Sequence, residues 1–276
     1  MTFCLAMKVE DGIVGLSDTR VTTGSEVISS KKVTIYDFPP LAEDAPGYET
    51  HGGTRPAGSC FVMTSGLRSA RDKALTYFEN ELATPGRITE HRLFEVANLL
   101  AAQIRRVAKE DGEALREAKL DLNIHALLGG QMHGDDQHRL FLVYPEGNWI
   151  SVERDTPYQI IGAGGYGKPV LDRTLKYEDP MRFALKVGCL AFDSTRISAA
   201  DVGPPIDIVL YKRDGFRTVE RRFHQADLSE ITDWWQDRLR NSIRSIPSGW
   251  LDPLRDAVPP EWGDVLEAHS PDRYGT

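Results

Sequence analysis

Apolar and polar positions alternate through the first twenty residues. FCLAMKV and IVGLSD carry the two-residue period of strands, and Glu10-Asp11-Gly12 between them supplies a tight turn, so the chain opens on a β-hairpin. The polar stretch TRVTTGSEVISS reads as a loop, KKVTIYDF as a third strand, and SCFVMTSG as a fourth that stops at Gly66. Between these last two, residues 39–58 are rich in Pro and Gly and read as an irregular excursion. The period then changes. Residues 69–83 and 91–118 place apolar side chains at helical spacing. LNIHALLGG, HRLFLVYP, GNWISVE and PYQIIG return to strands, helices follow near 168–177 and 180–192, and IDIVLYKRDG is a further strand. Residues 228–245 form a last helix, and the chain from Ile246 is rich in Pro, Trp and Asp and reads as irregular. Strands come in runs and helices come in runs. That order predicts an α+β fold with antiparallel sheets sandwiched between helix layers, not βαβ alternation.

Composition narrows the function more than the fold. The chain has 276 residues, 41% of them hydrophobic and 27% charged, which suits a folded globular protein with a substantial core. A net charge of −8 argues against nucleic acid or an anionic membrane as the main partner. No apolar run is long enough to span a bilayer. The opening stretch lacks a basic region and a continuous apolar segment, so it does not read as a secretory signal. Three scattered cysteines point to a reducing, cytoplasmic setting. The seven histidines show no metal-ligand spacing, and His133 and His138 fall in a polar turn, QMHGDDQH, where they read as solvated.

The candidate chemistry lies at the start. Removal of Met1 would leave Thr2 with a hydroxyl and an α-amine on one residue. The α-amine titrates at about 7.7–8.0 in reference peptides, so it can take the proton of a hydroxyl that is otherwise a weak nucleophile. Asp18 ends the second strand beside the start of the first, and Lys32 opens the third. In an antiparallel arrangement both can converge on residue 2, the ammonium favouring deprotonation and the carboxylate holding the ammonium. Singly, each of these two reads as a solvated surface charge, and only their combination is specific.

These residues resemble a known family. MT-x-C-L-A, GIVGLSDTR, TTG, KKVTIYDF and MTSG look like the proteasome β-subunit, and with the VGPPID segment at Val202–Asp207 they look most like the bacterial ancestral β-subunit (Anbu) proteins, which carry no propeptide beyond methionine. The resemblance covers roughly residues 2–215. It implies the four-layer αββα sandwich of N-terminal nucleophile hydrolases over residues 2–245, with 246–276 as a C-terminal extension. It also implies threonine-type hydrolysis of a peptide or other amide without a cofactor, and a self-compartmentalising homo-oligomer. On that resemblance Thr2 is the nucleophile, Asp18 the carboxylate, Lys32 the ammonium and Gly66 the backbone donor of an oxyanion hole. Two positions depart from the pattern. The family has Gly-Ser-Gly where this chain has Gly162-Ala163-Gly164, and the later Asp-x-x-Ser pattern is met only out of register, by Asp201 or Ser198.

Two other readings stand beside this one. Residues 162–167, GAGGYG, fit G-x-G-x-x-G after a strand and before a helix, the context of a nucleotide-binding loop. The incomplete serine pattern would also suit a proteasome-fold scaffold without activity. Trp234, Trp235, Trp250 and Trp262 crowd the final quarter, and tryptophans so placed suit contacts between subunits. No ATPase segment is recognisable in the sequence, so any energy for unfolding a substrate must come from an ATPase partner, or the substrate is already short.

Overall fold

The structure is a computed structural model. It describes residues 2–23, 26–40, 56–89, 91–262 and 265–266. The chain divides into two units, Met1–Thr232 and Asp233–Thr276.

The first unit holds β1 (Phe3–Val9), β2 (Gly12–Asp18), β3 (Arg20–Thr23), β4 (Glu26–Ser29), β5 (Val33–Pro40) and β6 (Pro56–Ser65). Two helices follow, α1 (Arg68–Leu82) and α2 (Leu93–Glu117). Then come β7 (His125–Met132), β8 (Arg139–Val143), β9 (Trp149–Ser151) and β10 (Tyr158–Gly162), the helices α3 (Lys168–Thr174) and α4 (Met181–Ser198), and the strands β11 (Ile206–Lys212) and β12 (Thr218–Phe223). Helix α5 (Gln225–Arg244) crosses the boundary between the units.

One five-stranded sheet runs β10-β1-β2-β11-β12, a second runs β5-β6-β7-β8-β9, and β3 pairs with β4 as a separate ribbon. Every pairing is antiparallel among the described residues. The layers follow from side-chain alternation. Phe3, Leu5, Met7 and Val9 of β1 face α3 and α4, whereas Cys4 and Ala6 face the other sheet and meet Phe61, Met63 and Leu127. All seven residues of β1 are therefore buried although the strand is antiparallel. Only a sheet covered on both faces requires that. On the far side, the apolar stripe of α2 (Val96, Ala97, Leu100, Ile104, Val107) packs with Phe78 of α1 against Val62 and Leu128. The order is helix, sheet, sheet, helix, as the sequence pattern and the resemblance predict.

Local signals set the helix ends. Glu95 accepts the Arg92 N–H at 3.1 Å and Asp135 accepts the Leu93 N–H at 2.9 Å, which satisfies donors that the start of α2 would otherwise leave bare. Gly188 lets α4 lie close on β1 and β2, because a Cβ there would stand 2.6 Å from Leu16 Cδ1 and from Met7 Cε.

Two expectations need correction, and one strand goes beyond them. TRVTTGSEVISS, read as a loop, forms the β3–β4 ribbon. TVERRF, to which the sequence pattern assigns no element, is a strand, β12, whose charges hide the apolar alternation. His138, read as solvated, is fully buried, with Nε2 2.8 Å from the Val9 carbonyl oxygen. The polar turn places it at the head of β8, where the side chain is directed between the sheets. Most of the 39–58 excursion, residues 41–55, lies outside the described residues.

The second unit contains the end of α5, a helical turn at Gly249–Leu251, α6 (Asp252–Arg255) and a turn at Pro260–Trp262. Within it the rings of Trp234 and Trp235 stack at 6.5 Å, and Trp234, Trp250 and Trp262 are exposed. Among the described residues, no helix is long and apolar enough to cross a membrane.

Candidate active site

Strand register brings the start or end of five strands to one edge of the sandwich. Phe3 of β1 pairs with Gly162 at the end of β10, Cys4 with Ser17 near the end of β2, and Ser65 at the end of β6 with His125 at the start of β7. A cleft of ≈ 620 Å³ opens at this edge, and Thr2, Lys32, Gly66 and Gly162 are among its lining residues.

Thr2 is half-buried and is held by its backbone. Its carbonyl oxygen accepts the Ala163 N–H at 2.6 Å. Gly162 lies against the same carbonyl with φ at +88°, and a Cβ there would come within 1.9 Å of the oxygen. That position therefore needs glycine on two counts, conformation and space. The segment that resembled a nucleotide loop thus packs against Thr2. It follows a strand antiparallel to β1, and the βαβ unit of a dinucleotide site is absent among the described residues.

Asp18 and Lys32 form a buried ion pair. Lys32 Nζ donates to Asp18 Oδ1 at 2.7 Å and to the Arg20 carbonyl at 2.7 Å, with both side chains almost fully enclosed. The same Oδ1 accepts the Phe3 N–H at 2.8 Å, which ties the residue after Thr2 to the pair. Burial pushes the Asp18 carboxyl upward, and the Lys32 ammonium opposes it, with lesser help from the amides of Phe3 and Gly203. Oδ2 is buried without a hydrogen bond, so the Gly203 amide favours the charged form without completing one. Gly203 belongs to the 202–207 segment, which is anchored by Thr19 N–H to the Pro205 carbonyl at 3.0 Å, and just before it Arg20 Nη1 donates to the Ala200 carbonyl at 2.8 Å.

Gly66 follows β6 with φ at +111°, and a Cβ there would meet the Asn123 carbonyl oxygen at 2.5 Å. Neither the conformation nor the space admits another residue, and the exposed backbone borders the cleft. Ser198, exposed at the end of α4, and Asp201 in the turn beyond it are not among the residues lining the cleft. Cys4 is no rival nucleophile, because burial pushes its thiol up to about 12.

Sequence reasoning missed part of the lining. Arg68, Arg71, Asn123 and His125 all border the cleft. Arg71 was legible only as a member of an amphipathic helix, and Arg68 lies just before the stretch read as that helix. His125 was legible only as a strand residue, and its place opposite Ser65 comes from a pairing between segments sixty residues apart.

The architecture is the proteasome-like fold of N-terminal nucleophile hydrolases. No family model and no curated protein matches the sequence, but solved structures do. Anbu (ancestral beta-subunit) from Yersinia bercovieri is 28% identical, with a TM-score of 0.76, over 89% of this chain and 98% of that one. An Anbu (Gly-1) mutant from Hyphomicrobium sp. strain MC1 is also 28% identical, with a TM-score of 0.75, over 89% and 99%. The Anbu complex from Pseudomonas aeruginosa, solved as a helical assembly, is 27% identical, with a TM-score of 0.77, over 89% and 97%. In fold and along nearly its whole length the chain is similar to Anbu-type, proteasome-like proteins.

Proposed function

We propose that the chain is a threonine-type amide hydrolase that cleaves peptides from within a homo-oligomer. The reading rests on one observation: Thr2 shares a cleft with Lys32 and Gly66, while Asp18 links Lys32 to the Phe3 N–H. After removal of Met1 the α-amine of Thr2 accepts the proton of its own hydroxyl, and Oγ attacks the substrate carbonyl carbon. The carbonyl π electrons move onto oxygen, where the Gly66 N–H stabilises the charge. Collapse of the tetrahedral intermediate breaks the C–N bond, and the protonated α-amine gives its proton to the departing amine. Water, deprotonated by the same α-amine, then attacks the ester, and the C–O bond to Thr2 breaks as the α-ammonium returns its proton to Oγ, releasing the acid product. Lys32 provides a fixed positive charge throughout, and Asp18 holds it in place. These steps call for no metal or organic cofactor, and they fit a cytoplasmic enzyme.

The same reading assigns residues 2–245 to the hydrolase domain and makes residues 246–276 an extension used in assembly. The helical assembly of the Pseudomonas aeruginosa Anbu complex supports the homo-oligomer.

Thr2→Ala tests the activity. The variant should lose turnover of a peptide library by at least about a thousandfold while keeping the native circular dichroism and melting temperature. Intact mass should show the native chain without Met1. Retained activity, or a native chain that keeps Met1, would sink the assignment. Ala163 in place of the family's serine favours a second reading, an inactive scaffold. That reading predicts no turnover and no labelling of a Met1-free chain by a threonine-directed covalent probe.

A further inference from the structure

The cleft around Thr2 is walled by cations although the chain as a whole carries −8. Arg68 and Arg71 stand one turn apart at the head of α1, directly beyond Gly66. Both line the cleft, and no Asp or Glu does among the described residues. Arg71 is only 6% exposed, and its Nε and Nη2 both donate to Asp72 Oδ1, at 3.0 and 2.9 Å. Arg68 Nε reaches the other oxygen of the same carboxylate at 3.4 Å. Two guanidinium groups therefore share one carboxylate, which leaves one positive charge unmatched. The Lys32 charge is already met by Asp18. On the other side of the cleft His125 Nδ1 lies 3.1 Å from the Asn123 carbonyl oxygen, and its Nε2 has no protein partner among the described residues.

The helix makes this charge unfavourable when the cleft is empty. Cations in a first turn oppose the helix macrodipole, and α1 has neither an acidic residue in its first turn nor a side-chain cap at Leu67. A carboxylate in the cleft would relieve both the repulsion and the charge excess.

We propose that the cleft selects peptides with a carboxylate side chain, Glu or Asp, on the residue whose carbonyl is attacked. This inference rests on the hydrolase reading for the placement of that carbonyl at Gly66. With the carbonyl oxygen at Gly66, the side chain of the same residue falls beside Arg68 and Arg71, which follow Gly66 in the chain. Glutamate there gains charge-assisted hydrogen bonds, glutamine keeps the shape without the charge, and lysine is repelled.

Short peptide amides that differ only in this residue test the idea, with Glu, Gln, Leu and Lys compared. For the native chain, kcat/KM for Glu should exceed that for Gln by about tenfold or more. Arg68 is exposed, so Arg68→Ala should fold normally and shrink the ratio to about threefold or less. Equal rates for Glu and Gln would overturn the preference and leave the hydrolase reading standing. Dye-labelled versions of the same peptides titrated onto Thr2→Ala separate recognition from chemistry. Tighter binding of the Glu peptide, with no turnover by the native chain, would uphold the acidic preference and overturn the hydrolase reading. Absence of both turnover and preference would overturn the two together.

Discussion

At the residue scale the Asp18–Lys32 pair decides most. Two charges enclosed this completely cost several kcal/mol to desolvate, and only their mutual attraction and added hydrogen bonds offset that. Removing one partner strands the other. Asp18→Asn leaves the Lys32 ammonium buried with the Arg20 carbonyl as its remaining strong acceptor, and it should lower stability by about 3–5 kcal/mol in urea unfolding. Lys32→Met should cost a similar amount through the stranded carboxylate. The double variant Asp18→Asn/Lys32→Met removes both charges and should recover more than half of the loss without recovering turnover. Stability that fails to recover would mean that the pair also holds the local backbone. Recovered turnover would mean that the charge on Lys32 is dispensable. Gly66 and Gly162 are constrained at the same scale for a different reason, since their positive φ and the nearby carbonyl oxygens leave no room for a side chain.

At the scale of elements, His138 joins the two sheets. It projects from the head of β8 and donates from Nε2 to the Val9 carbonyl at the tip of β1, so one hydrogen bond ties strands of different sheets. Its Nδ1 is buried without a partner and must remain unprotonated. Burial pushes the imidazole down to about 4 from its usual 6.5, and the nearby Lys8 and Arg213 add to the effect. Val9 and Asp214 oppose it. The folded state therefore takes up the proton at lower pH than the unfolded chain. Stability from this group is complete above the unfolded value and is lost as pH falls from about 6.5 towards 4. The full loss is on the order of 3 kcal/mol. Urea midpoints measured from pH 7.5 down to 4.5 should fall, and His138→Gln should flatten that dependence while lowering stability at neutral pH. An unchanged slope in the variant would move the acid sensitivity elsewhere, with the buried Lys8 excluded because its own shift is downward from a much higher value.

The whole molecule carries a prediction about assembly. Trp234, Trp250 and Trp262 are 53%, 65% and 65% exposed in a unit with few buried side chains, and Ile243, Ile246 and Leu254 are exposed as well. Aromatic and aliphatic surface on this scale favours burial against another chain. An N-terminal threonine nucleophile also needs enclosure if it is not to attack other proteins. Sedimentation of the full-length protein at micromolar concentration should give a species of many subunits, and a chain truncated after Pro247 should sediment as a smaller one. A monomeric full-length protein would defeat the assembly. An unchanged assembly after truncation would remove only the role of the extension.

The sequence by itself determined the elements whose apolar period is strong: the opening hairpin, both helices after Gly66, the strand run from 122 to 162 and α4. It also placed Thr2, Asp18, Lys32 and Gly66 at strand ends or starts, where antiparallel pairing can gather them. Short-range signals carry that much, because hydrophobic period and turn chemistry act over a few residues. What the period misread or left unassigned was polar or charged on its surface. The ribbon of β3 and β4, the strand TVERRF and the buried His138 owe their places to partners far along the chain. Only the tertiary structure decided that Lys32 shares Asp18 with Phe3, that the glycine-rich loop packs on Thr2, and that Arg68, Arg71 and His125 wall the same cleft. Those contacts join segments 14 to more than 100 residues apart. No local pattern specifies such distances. They follow from strand register, which the burial of both faces of each sheet sets cooperatively across the whole sandwich.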